Sequence, residues 1–124
     1  MATGTYVALG TTTLSGTAGS VTFSSIPATY RDLVLVGNWP NTSSNAPFVL
    51  MRLNGDTGTN YSWIQAYGDS GGPDSDTGSS VNGMRVGYSQ ADVAMSINHI
   101  MDYSATDKHT TVLTRSDQME NNTR

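Results

Sequence analysis

Residues 93–104 read VAMSINHIMDYS, and their alternation decides the fold class. Val93, Met95, Ile97, His99, Met101 and Tyr103 fall on one face of an extended chain. Ala94, Ser96, Asn98, Asp102 and Ser104 fall on the other, with Ile100 the single exception. A helix would scatter these residues around its axis, so the stretch predicts a strand with its apolar face turned to a core. Residues 104–108 form a polar turn, and 109–115 return with Val112 and Leu113. The whole of 92–115 therefore predicts a β-hairpin.

Outward from that hairpin the same period recurs. Met84, Val86 and Tyr88 share a face within 81–88, and 48–53 and 61–67 flank the turn Asn54-Gly55-Asp56. Residues 33–36 (LVLV) are a continuous apolar run, suited to a strand buried on both faces. Val21 and Phe23 alternate with hydroxyl residues, and Thr5, Val7 and Leu9 alternate near the start. Loops are expected at 40–47 and, longest and most mobile, at 68–80, where Gly, Ser, Asp and Pro cluster. Residues 116–124 read as a polar tail. No segment shows a 3.6-residue period. The expected fold class is all-β, an antiparallel β-sandwich of about eight short strands, with Met51, Met84, Met95 and Met101 filling its core.

Composition bounds the function. A chain of 124 residues is expected to form one domain, spanning 1–124, with room for a modest core. Ser and Thr supply about a quarter of the residues and charged residues only 13%, a balance that favours strands. The net charge of −4, one lysine (Lys108) and no arginine cluster argue against nucleic acid as a partner. With no cysteine, a disulfide framework and a thiolate metal site are both excluded. The opening MATGTYVALGTTTLSG lacks the basic lead and apolar core of a secretory signal, and no stretch reaches membrane-spanning length. Synthesis in a cytoplasm, with no membrane partner, is the expectation.

Two motifs imitate enzymes. Gly68-Asp69-Ser70-Gly71-Gly72-Pro73 matches the segment around the nucleophilic serine of chymotrypsin-like proteases. Those enzymes place a histidine and then an aspartate before the serine, whereas His99 and His109 both follow it, and their double barrel needs nearly twice this length. Asp-Thr-Gly occurs at 56–58 and 76–78, as in aspartic proteases. There the triplet follows an apolar strand; here Asp76 follows the plain loop Pro73-Asp74-Ser75, and Asp56 sits in the turn at 54–60, whose Asp and Asn side chains can bond the local backbone. The expectation is no enzyme, no catalytic residue and no cofactor.

Binding candidates are few. Asp74 and Asp76 alternate before Gly78, with Asp69 nearby, and form a weak calcium-loop candidate without the terminal glutamate such loops use. A solvated acidic loop is the plainer reading. His99 reads as a hydrogen-bonded core or interface residue and His109 as exposed, with no second histidine at zinc-ligand spacing. Trp39, Trp63 and Tyr67, with Tyr61, could stack on sugar rings, but aromatics at alternate strand positions serve more often as core or interface anchors.

Residues 20–37 (SVTFSSIPATYRDLVLVG) and 48–63 (FVLMRLNGDTGTNYSW) carry one further signal. The phrase F-S-S-I-P-x-T-Y-x-D-L-V-L-V, followed by NGDTGTNYS and by MDYS at 101–104, resembles a jelly-roll-like β-sandwich domain of tailed bacteriophage virion proteins. The likeness covers residues 11–115. It implies a capsid decoration (cement) protein displayed on the virion surface, assembled in the host cytoplasm and stabilising the shell. The alternative is a tail or head fibre component that binds a host glycan. Implied partners are the major capsid protein or fibre neighbours, and copies of the chain itself in a homo-oligomer such as a trimer. Members of this group continue past the equivalent of 121–124 with one or two more strands. The sandwich is therefore expected to be short of strands, or to be completed by a neighbouring chain added to an open sheet edge.

Overall fold

The hairpin anticipated at 92–115 is the centre of the molecule. In a computed structural model, which describes residues 6–41, 47–69, 71–89 and 94–118, every regular element is a strand and every pairing is antiparallel. The seven strands are β1 (Leu33–Asn38), β2 (Phe48–Met51), β3 (Tyr61–Asp69), β4 (Gly72–Val81), β5 (Met84–Tyr88), β6 (Ala94–Met101) and β7 (Thr111–Gln118). They form a three-stranded sheet in the order β1-β6-β7 and two ribbons, β2-β5 and β3-β4. Strand β5 packs against β6 and β7, and β3 touches β5.

The core lies where β5 meets β6. Met84, Val86, Ala94 and Ile100 are the buried apolar side chains among the described residues, and full burial of a Val- or Ile-sized group contributes about 1.5–3 kcal/mol. Between them lie two buried polar residues, Ser96 and Asn98, the latter 0% exposed. Gly87 of β5 sits over Ser96: a Cβ there would lie 3.3 Å from the Ser96 Cβ, and the backbone takes φ +154°. A side chain much larger than serine at position 96 would crowd β5 at Gly87.

This arrangement inverts the expected orientation of β6. The period is two, but Ala94, Ser96, Asn98 and Ile100 face in, while Met95, Ile97 and His99 face out. Met95 is not core filling and His99 is exposed, not buried; Met51 and Met101 are half-buried, and Met84 alone is buried. Val93 lies outside the described residues. The run 33–36 is likewise covered on one side: Leu33 and Leu35 are half-buried, but Val36 is 58% exposed.

Two further expectations change. The loop foreseen at 68–80 is strand β4, paired with β3 from Tyr61↔Val81 to Asp69↔Gly72. Its Gly, Ser and Asp residues reach strand geometry because β3 supplies a ladder, continuous from Trp63↔Gly78 to Asp69↔Gly72 after a register shift between Tyr61 and Trp63, a tertiary effect that local propensity does not carry. The early alternations form no strand: residues 6–32 have no regular structure, and Val7, Leu9, Val21 and Phe23 are exposed, while Thr5 lies outside the described residues. The tail foreseen from 116 begins inside β7, which runs to Gln118; 119–124 lie outside the described residues.

Candidate functional site

Strand β3 walls a broad groove. Tyr61, Trp63, Gln65 and Tyr67 alternate on its half-buried side, with Ile64 on the exposed side. The opposite wall is the edge strand β7 with the residues just before it, 109–117, and the floor includes Met84, Arg85, Gly87 and Tyr88 of β5. The enclosed volume is about 1910 Å³.

Arg85 organises the floor. Its guanidinium lies 3.5 Å from the ring centre of Phe48 and 3.7 Å from that of Trp63, and its Nη1 donates to Asp76 Oδ2 at 2.9 Å. A cation held between two rings and a carboxylate is attracted by both ring faces and by the charge. Phe48 also meets Tyr88, with ring centres 4.5 Å apart and planes tilted by 48°, and Gln65 Nε2 reaches the Tyr88 hydroxyl at 3.5 Å. Gly78, opposite Trp63 in the β3-β4 ladder, leaves room for the indole, since a Cβ there would sit 2.5 Å from it. The Trp63 face is thus occupied by Arg85.

The foreseen aromatic platform is divided by the fold. Trp63 and Tyr67 share the β3 wall, and the Tyr67 hydroxyl donates to Asp74 Oδ2 at 3.1 Å. Trp39 lies elsewhere, at the end of β1. Its backbone N–H bonds the Ala94 carbonyl at 2.9 Å, and its indole Nε1 donates to Ser96 Oγ at 2.9 Å. The ring rests against Gly37, where any Cβ would collide with it. Asn98 completes this network: its Nδ2 donates to Ser96 Oγ at 3.0 Å and to the Leu35 carbonyl at 3.4 Å, and its Oδ1 accepts from Thr114 Oγ1 at 2.8 Å. Every polar group of the buried Asn98 amide therefore has a partner, which removes the penalty of burying it.

The acidic candidates are also engaged. Asp76 holds Arg85 and accepts from the Thr77 N–H, and Asp74 accepts from Tyr67 and from the Ser75 N–H. Asp69 ends β3, and its side chain lies outside the described residues. Among the described residues no three carboxylates or histidines gather as metal ligands. Gly68-Asp69-Ser70-Gly71-Gly72-Pro73 forms the tip of the β3-β4 hairpin, with Gly68↔Pro73 paired; Ser70 is outside the described residues, and both histidines belong to the β6–β7 hairpin in a different sheet. The other Asp-Thr-Gly is a turn: Asn54 and Gly55 take φ of 53° and 70°, and the Asp56 N–H bonds the Leu53 carbonyl at 3.0 Å. Asn60 and the Gly58 N–H donate to the Asp56 carboxylate and hold its pKa below the usual value, Asn60 contributing most.

The most unusual surface is the outer side of the β1-β6-β7 sheet. Val34 pairs with His99, Val36 with Ile97, and His99 with Leu113, so an apolar band spans β1 and β6 and reaches Leu113 of β7 across His99. Leu113 is 59% exposed, and Met95 and Ile97 are also exposed. Beside the band, Arg115 stands opposite Ile97 and Asp117 opposite Met95. Sequence reasoning found these side chains but assigned most of them to the core. It missed Arg85, Ser96 and Asn98. The available signal was the glycines at 37, 78 and 87, each interrupting a strand pattern where another group approaches closely.

Compared with known proteins, the chain matches no family model, no curated protein and no solved structure.

Proposed function

We propose that this chain is a non-enzymatic structural component of a tailed-phage particle, a capsid decoration (cement) protein that self-associates and braces the shell from the virion surface. The supporting observation is the uncovered apolar band of the β1-β6-β7 sheet, set against a core with only four buried apolar side chains among the described residues. Contiguous apolar surface of this kind marks interaction sites. In this reading the β1-β6-β7 sheet and the β2-β5 ribbon are facing layers of a jelly-roll-like sandwich, and neighbouring chains supply what the single chain lacks. The shell protein meets the loops and the apolar band, and modest contacts gain strength through repetition around the lattice.

A second reading is a fibre component that holds a host glycan, favoured by the groove whose wall carries Trp63 and Tyr67. Peptide mass spectrometry on gradient-purified particles separates the two. Copies near those of the major shell protein are expected for cement; a low copy number matching a tail or vertex favours the fibre; absence from particles refutes both.

A further inference from the structure

The groove between β3 and β7 and the segment before β1 have complementary needs. Among the described residues, strand β3 is paired only with β4 and β7 only with β6, so each has one open edge there. The groove is lined without interruption by residues 61–68 of β3 and by 109–117 along β7. Such edges present unpaired N–H and C=O groups to any extended chain that enters.

The N-terminal arm is irregular chain outside every sheet, with Phe23 lying beside Gly10 of the same arm. Residues 6–26 carry no backbone–backbone hydrogen bond among the described residues, and they expose Tyr6, Val7, Leu9, Leu14, Val21 and Phe23. No charged residue occurs between 6 and 30, so the arm can be buried without desolvating a charge. Its alternation at 20–23, with Val21 and Phe23 on one side and Ser20 and Thr22 on the other, is strand patterning that no strand of this chain uses.

The root of the arm is fastened. The Tyr103 hydroxyl donates to the Pro27 carbonyl, and Asp32 Oδ1 accepts from the Asp102 N–H at 2.9 Å. Beyond that anchor the chain's own arm leaves the groove open.

We propose that residues 20–24 of one copy lie as an added strand in the β3–β7 groove of a second copy, with Val21 and Phe23 turned to the Tyr88 and Arg85 floor. The inference rests on the self-association proposed above and identifies the segment that makes it. The arm's backbone groups pair with the open edges, and its side-chain alternation sets the register.

Amide hydrogen exchange on the full chain across a concentration series, beside sedimentation, tests it. Residues 20–24 and the β3 and β7 edges are expected to gain protection together as the oligomer forms. Val21→Pro removes an arm N–H without touching the folded core, and it should weaken assembly about tenfold. Arm protection that is independent of concentration would place the arm in its own chain's groove and overturn the inference. An oligomer whose arm amides exchange freely would overturn it while leaving the assembly reading standing. A chain that stays monomeric, with its arm unprotected, would overturn both.

Discussion

The two sides of the β1-β6-β7 sheet differ in the opposite sense to their chemistry. The inner side of β6 carries Ala94, Ser96, Asn98 and Ile100, two of them polar, and is sealed. The outer side carries Met95, Ile97 and His99 beside Val36 and Leu113, and is open. Burial has followed fit and hydrogen-bond satisfaction rather than hydrophobicity. Gly87 brings β5 so close to Ser96 that a methionine or isoleucine there would be overpacked. Trp39, Leu35 and Thr114 meanwhile satisfy the polar atoms that the small residues bring inside. The outer side is then left exposed.

The contrast can be broken from the inside first. Asn98→Ala removes the partner of Thr114 and of the Leu35 carbonyl and leaves a void, so it should cost about 2–3 kcal/mol in denaturant unfolding. A cost near zero would mean that the amide network does not hold the inner side. Trp39→Phe keeps a ring over Gly37 but deletes the donor to Ser96; about 1 kcal/mol is expected, read as a lower denaturant midpoint at unchanged slope.

On the outer side the effect should move from folding to association. Ile97→Asp is expected to change the unfolding free energy of the monomer by no more than about 0.5 kcal/mol, while abolishing co-sedimentation of the protein with particles. If the variant unfolds instead, the chain itself covers that face and the contrast disappears.

The smallest effect belongs to neither side. Asp102, in the β6–β7 turn, bonds Lys108 Nζ at 2.8 Å and lies 3.8 Å from Arg31. The hydrogen bond from Lys108 holds the Asp102 carboxyl below its ordinary 3.8; desolvation opposes it, and the weaker attraction of the Lys108 and Arg31 charges adds to the lowering. A folded-state pKa below the unfolded one contributes stability that is fully present above pH 3.8 and is lost as pH falls through the lowered value. Asp102→Asn should flatten that acid limb of a thermal-stability profile and leave the neutral range almost unchanged. An unchanged acid limb would show that the turn does not depend on this carboxylate.

Parts of the molecule were legible beforehand. The 92–115 hairpin, the Asn54-Gly55 turn and the strand at Tyr61 follow from local signals, since period two and a φ > 0 turn each act over a few residues. The groove was partly legible, through Trp63 and Tyr67 on one side of β3. Arg85 was not, because a lone arginine between Met84 and Val86 gives no hint that Phe48 and Asp76, far off in the chain, will enclose it.

By itself the sequence determined the all-β class, the strand period and the absence of charge between residues 6 and 30. Only the tertiary structure decided which side of β6 is inside, that 72–81 is a strand, and that the apolar band is left bare. The physical reason is one of range. Alternation is set by backbone geometry within a strand and repeats whichever way the strand faces. The side that is buried depends on which distant strand covers it and how closely, and here Gly87 and Trp39 settle that choice.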